Sequence, residues 1–432
     1  MITKQLVEQI EGEASLYFEL KDNLVSHASI VFPHFRAMEK MLEGKNALDA
    51  LVITPRVCGI CGHAHLMASV RAIEDAYKNA SNEVILTQKV KKIREFTLLM
   101  EMIQNHMKWM YLTIIPALAK LTQSTASQTP LKGAFGASIA TKAIAIFGGQ
   151  WPHSSYMLPG GITADPTNMD IFKAESYIDE LISFFEKESL GTSLKSFLQM
   201  KSCKDFSLLK GDVVEIESAL QKMRMHEKGK VGSKFLVLGK HSFSSVCKIK
   251  NTRVFHVDAK YVDTEDACIS EEKSYAKNAL YKNEFYEVGP LARTLSSKLA
   301  IVKNMHRRYK DSAYTRVMSR IFELVYLMKE AKELLQNIDI SQSSFLALRD
   351  ISELTASGIG VVEAPRGPLI HKIKIEKGII QNYTIITPTQ FNIGSSTKDK
   401  PTPAQTAMKG VNKEEAEFIF RTFDVCSVCT TH

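Results

Sequence analysis

Two Cys-x-x-Cys pairs stand near opposite ends of this 432-residue chain, Cys58 and Cys61 in "RVCGICGHAH" and Cys426 and Cys429 in "FDVCSVCTTH". If four thiols serve one site, the fold must bring its two ends together, and a string of independent modules is ruled out. Gly59 allows a tight turn within the first pair, so that both sulfurs face one point. A helix reading on from Cys61 puts His65 one turn beyond it. Termini ordinarily fray, so a ligand cluster this close to His432 implies that this end is buried and fixed.

Seven cysteines in all, an odd number with four in pairs, argue for a reducing compartment and for metal or redox use rather than a disulfide framework. Cys203, Cys247 and Cys268 are isolated and read as buried thiols. With 45% hydrophobic and 24% charged residues the chain is globular with ample core. The net charge of +8 comes in short groups such as "KVKKIR" and "MHRRYK", interleaved with apolar residues at helical spacing. Such groups are solvated helix faces, and no nucleic-acid partner is expected. The opening "MITKQLVEQIEGEASLYFEL" carries charges where a secretory core would be apolar, and no run of about 18 apolar residues occurs. The expected location is cytoplasmic, with any membrane association made through partners.

The periodicity predicts a mainly α fold, a long-helix bundle with small peripheral β elements in a single domain over 1–432. Residues 83 to 115 form one long helical pattern, and 302 to 335 another, with Val317, Ile321, Leu324, Met328, Ala331 and Leu335 as its buried stripe. Shorter helices are expected near 34–44, 61–79, 169–188 and 212–227. Strand-like alternation is confined to segments near 14–20, 234–258 and 371–387, the last a hairpin turning at Lys377-Gly378. The polar stretches "TQSTASQTPLKG" and "NIGSSTKDKPTPAQ" read as loops too short to link domains.

Four thiolates suit a structural zinc site, and equally nickel or iron. Zinc modules usually draw both pairs from one short segment, which favours a reactive centre here. At this point the residues resemble the large subunit of the nickel-iron hydrogenases. "RVCGICGHAH" is similar to that family's R-x-C-G-x-C-x-x-x-H motif and "FDVCSVCTTH" to its D-P-C-x-x-C-x-x-H motif. "QIEGE", "FGGQWPHSSYMLPGGIT", "EVGPLAR" and "EAPRGPLIH" with "TPTQFN" follow in the family's order, so the resemblance covers essentially the full length, with shortened connections.

The resemblance implies the hydrogenase large-subunit fold and heterolytic cleavage of H2 to protons and electrons. It implies nickel held by Cys58, Cys61, Cys426 and Cys429, with Cys61 and Cys429 bridging to an iron that carries CO and cyanide. Cys426 is then the first proton acceptor and Glu11 the next stop. Arg366 projects over the open metal position, held by Asp424, in an electrostatic role. Glu39, the backbone carbonyl of Ile385 and His432 match a second site for magnesium or a similar divalent ion. His153 and His371 are expected to hydrogen-bond loops and His65 to bond a cysteine sulfur, while His63 lies within the first motif with no family role.

Electrons must leave through an iron-sulfur small subunit, because this chain has no cysteine array for clusters. The resemblance also implies maturation proteins, a C-terminal endopeptidase acting after His432 and a higher oligomer of heterodimers. The family's pattern is departed from at Glu13 (histidine there), Val425 (proline), Asn105 (often an acid) and "MKWMYL" (a histidine-rich run). These departures point to the uptake and H2-sensing branch. The alternative is a regulatory H2 sensor that signals through a protein partner. A quinone-reducing relative is disfavoured by the four intact cysteines.

Overall fold

In the computed structural model, which describes residues 2–7, 12–124, 129–232, 234–238, 254–256, 258–267 and 274–432, helix Gln88–Lys108 occupies the middle of a helical layer. It is capped by Thr87, whose side chain accepts the Val90 N–H, and Phe96, Leu99, Ile103 and Met107 lie on its buried side. It packs against helices Thr129–Gly148 and Ala313–Gln336. The single helix expected to residue 115 instead widens into a π-type turn over Trp109–Ile114 before continuing as Ile115–Thr122. Pro116 explains the change: it has no N–H for the Leu112 carbonyl, and its ring crowds that carbonyl aside.

The second long helix also divides, into Ala300–Tyr309 and Ala313–Gln336. Ser312 caps the latter by accepting the Thr315 N–H, while the Asp311 carboxylate is taken by the N–H groups of Val231 and Gly232. The local polar groups thus satisfy a chain break that the apolar stripe alone did not reveal. Helix Gly62–Asn79 matches its expected span, and Met38–Leu42, Asn168–Phe184 and Asp212–Lys222 lie within or close to theirs. Thr129–Gly148 begins inside a stretch expected to be loop.

The expected late hairpin forms between Gly367–Glu376 and Ile379–Ile386, and Ala356–Ala364 adds a third antiparallel strand on its outer side. Lys377 and Gly378 both have positive φ, as a two-residue turn of the primed type requires. Gly358 and Gly360 bring this sheet onto helix Gly62–Asn79: a Cβ there would lie 2.0 Å and 1.9 Å from the carbonyl oxygens of Ala72 and Ala68. No side chain fits between the two. A second antiparallel sheet joins Ile2–Val7, Ala14–Lys21 and Leu24–Val31. In the middle region Phe235–Val237 pairs in parallel with Val254–His256. Glu11, Cys247 and Cys268 lie outside the described residues. The close sheet-on-helix contact fixes helix Gly62–Asn79, and with it the Cys58 to Cys61 turn at its start.

Candidate metal centre

Cys61 is the residue from which helix Gly62–Asn79 starts, and Cys426 precedes the short helix Ser427–Thr430. These two helix starts meet. The Cys58 and Cys426 sulfurs are 3.7 Å apart, Cys61 and Cys429 3.3 Å, and Cys426 and Cys429 2.8 Å. All four are free thiols and buried. Their sulfurs lie within 4.8 Å of one another, and among the described residues they form the one group of three or more His, Cys, Asp or Glu side chains so arranged.

Burial opposes ionisation at all four, yet Cys426 is drawn well below the ordinary thiol range by hydrogen bonds from the other three and by the Arg366 charge. Cys58 is lowered as well. Hydrogen bonding to Cys426 at Cys61, and burial at Cys429, push those two well up. Sulfurs this close resist becoming four thiolates unless a cation lies among them, and the donor set is the one a soft metal prefers.

Arg36 ties the two thiol loops together, a role the sequence did not disclose. Its Nη1 donates to the Val57 carbonyl at 2.5 Å and to the Val428 carbonyl at 3.3 Å, and its Nη2 to Arg56 O at 2.9 Å. Its backbone N–H donates to Thr431 O at 2.9 Å. Gly12, at φ 86°, presses on the same loop, where a Cβ would come within 3.0 Å of both Ser427 and Val428.

Arg366 is buried and held at three points. Its Nε donates to the Asp424 backbone carbonyl at 3.0 Å, its Nη2 to Asp424 Oδ1 at 3.2 Å and its Nη1 to Asn105 Oδ1 at 3.1 Å. Although burial opposes its charge, Asp424 and the sulfurs of Cys426, Cys61 and Cys58 hold its proton firmly. The expected pairing with Asp424 is present, and the cysteine cluster lies within the field of this cation.

Glu39, Ile385 and His432 also converge. His432 Nε2 lies 2.7 Å from the Ile385 carbonyl oxygen and 3.5 Å from Glu39 Oε1, and its Nδ1 lies 2.7 Å from the Cys429 carbonyl oxygen. Glu39 Oε1 accepts the Ile385 N–H at 2.7 Å. A neutral imidazole has a single N–H, so one nitrogen would point its lone pair at a carbonyl unless the ring is charged or a cation lies between them.

Comparison with known proteins places this geometry. The profile of the nickel-dependent hydrogenase family matches residues 36–115 and 239–432, which include all four cysteines, Arg366, Asp424, Glu39 and His432. The chain belongs to this family. It is 25% identical over 447 residues to sulfhydrogenase 2 subunit alpha of Pyrococcus furiosus, covering 98% of this chain and 97% of that one. It is 24% identical to the periplasmic NiFeSe hydrogenase large subunit of Desulfomicrobium baculatum, over 98% of this chain and 93% of that one. The NiFeSe hydrogenase of Desulfovibrio vulgaris Hildenborough in its reduced state shares the fold, with a TM-score of 0.83, 19% identity and full coverage of both chains.

This hydrogenase is therefore an oxidoreductase acting on H2, and its four-cysteine site suits a nickel-iron centre. A cavity of about 500 Å³ lies beside Arg366. Ile60, Asn105, Asp424 and Val425 line it with Arg366, and Trp109 and Thr113 of the π-type turn form part of its wall. The other histidines hold structure together. His153 Nδ1 meets the Pro55 carbonyl at 3.0 Å, and His63 Nε2 meets Thr97 Oγ1 at 2.8 Å. His65 Nδ1 faces His371 Nε2 at 3.1 Å rather than a cysteine sulfur. His371 in turn meets Tyr383 Oη at 2.8 Å and Ser69 Oγ at 3.0 Å. Cys203 is only partly buried. Among the described residues no helix is long and apolar enough to cross a membrane.

Proposed function

We propose that this chain is the catalytic large subunit of a nickel-iron hydrogenase, working as one unit over 1–432. Cys58, Cys61, Cys426 and Cys429 would hold a nickel-iron centre whose iron carries CO and cyanide. The observation that carries this reading is the meeting of four buried sulfurs from opposite ends of the chain beside one buried arginine. When bound, such a centre supplies the redox chemistry that separates H2 into unlike charges.

The chain's own groups do the rest. Cys426 lies in the field of Arg366 and accepts the proton at its sulfur. Arg366, pinned by Asp424 and Asn105, places a fixed positive charge beside the reacting position. Glu11 takes the proton onward; in support, the neighbouring Gly12 sits against the Ser427 and Val428 loop. Glu39, the Ile385 carbonyl and His432 would hold a magnesium-like ion, a reading supported by the lone pair that a neutral His432 ring would otherwise turn on a carbonyl oxygen.

Electrons pass to an iron-sulfur small subunit. Maturation proteins install the metals, a C-terminal endopeptidase acts in that process, and heterodimers associate further. The complex is cytoplasmic, with any membrane contact made by its partners. Metal analysis with infrared spectroscopy of the purified complex tests the reading: nickel and iron in equal amounts, with bands of iron-bound CO and cyanide, are expected. Zinc without those bands would overturn it. The H2-oxidation rate of the heterodimer separates an enzyme, which turns over rapidly, from a sensor.

A further inference from the structure

Helix Gln88–Lys108 sends two neighbouring turns of side chains into the Cys58 to Cys61 loop. Glu101, fully buried, accepts the His63 N–H at Oε2 (2.8 Å) and the Ala64 N–H at Oε1 (2.9 Å). These are buried first-turn donors of helix Gly62–Asn79 with no partner inside the helix, immediately after Cys61, so one side chain satisfies two of them at once. One turn along, Asn105 donates its amide to the Ile60 carbonyl at 2.6 Å, inside the thiol loop, and accepts Arg366 Nη1 at its Oδ1. The loop is thus gripped on both sides of Cys61, through the carbonyl before it and the two N–H groups after it.

Asn105 is chemically suited to its place. It must donate to one group and accept from another, and an ionised aspartate offers acceptors alone. Glu101 needs two acceptors, and a glutamine offers one. Burial pushes its carboxyl up to about 8, while the two backbone N–H bonds favour the anion.

We propose that Glu101 and Asn105 are positioning residues for the metal centre: together they clamp the Cys58 to Cys61 turn and couple it mechanically to Arg366. This rests on the reading of the four cysteines as the metal ligands. The clamp sets the spacing and direction of two sulfurs, and Asn105 makes any shift of the turn a shift of the arginine as well.

The test uses the heterodimeric complex carrying Glu101→Gln, Glu101→Asp or Asn105→Asp. Nickel held against a chelator and the infrared positions of the iron-bound CO and cyanide bands are the readouts. Loss of a group that orients a metal ligand typically weakens metal binding about 10- to 100-fold, and Glu101→Gln should show a loss of that size with displaced bands. Glu101→Asp, which keeps both acceptors, should recover part of it. Asn105→Asp should displace the bands because it cannot donate to Ile60.

If Glu101→Gln and Asn105→Asp both retain native nickel affinity and native band positions, the clamp is overturned. Should the Glu101 variants be recovered too poorly to measure, Asn105→Asp decides alone: native bands overturn the proposal and displaced bands support it. An unmodified complex lacking nickel and these bands would instead overturn the reading of the centre itself.

Discussion

Arg320 donates from Nη1 to Oδ2 of Asp424 at 2.5 Å, deep in the protein and out of solvent. Its guanidinium lies 4.3 Å from the centroid of the Trp109 ring. Asp424 therefore serves two arginines, and Arg320 holds the carboxylate that in turn holds Arg366. Fully breaking a buried ion pair typically costs about 3–5 kcal/mol, and because Asp424 would still be paired with Arg366, loss of Arg320 should cost less than that. Arg320→Met should lower thermal stability accordingly and reduce H2 oxidation, with nickel still present. Unchanged activity in this variant would show that Arg366 does not depend on Arg320.

Cys61 has a thiol neighbour in the other loop at 3.3 Å and is assigned as a bridging ligand. Cys61→Ala is expected to leave a purified protein without stoichiometric nickel and without detectable H2 oxidation. Elemental analysis decides the matter directly, and full nickel with full activity would remove this residue from the site.

Glu11 is assigned to proton transfer and not to metal binding, so the two properties should separate. Glu11→Gln keeps the shape and removes the titrating group. Native CO and cyanide bands are expected, with H2 oxidation reduced at least about 100-fold, the usual lower range for an acid-base group. Exchange of H2 with solvent deuterium should fall more than conversion between para- and ortho-hydrogen. Wild-type exchange would mean that the proton leaves by another route.

His106 gives the fold an acid-sensitive point. Burial lowers its pKa to about 4, with the hydrogen bond and charge of Glu323 working the other way and the charges of Arg320 and Arg293 assisting. Above the unfolded value of 6.5 both folded and unfolded chains hold it neutral. Below that pH the unfolded chain takes a proton that the fold refuses until about pH 4, so stability falls as pH falls through this window, by on the order of 3 kcal/mol. His106→Gln, which can still donate to Glu323, should flatten the acid limb of stability against pH in denaturant titrations. An unaltered limb would place the acid sensitivity elsewhere.

The four thiols were legible because soft ligands at short spacing have few other uses, and the sheet near 371–387 because alternation and Lys377-Gly378 mark it. The groups that support the site were not. Arg36, Glu101, Arg320 and Glu323 lie in helical or loop sequence where a charged residue reads as solvent-facing, and only the packing shows the last three buried, and Arg36 half-buried, against partners. Helix Thr129–Gly148 escaped for a related reason. It is nearly uniformly apolar, so it has no polar face to betray a period, and its Gly133 and Gly136 look like breakers. In the fold those glycines admit Tyr111 and Met107, to which a Cβ would come within 2.7 Å and 2.4 Å. The break at Ser312 and the widening before Pro116 carried local signals, a capping residue and a proline, which the apolar stripes masked.

The cysteines that meet across the centre are 368 positions apart in the chain. During synthesis the first pair leaves the ribosome long before its counterpart exists, and no four-sulfur site is available to capture a stray ion until the segment carrying Cys426 and Cys429 has been made. Selection of the metal is thereby postponed until both distant segments exist, and a chain that stops before Cys426 presents two thiols and no cage.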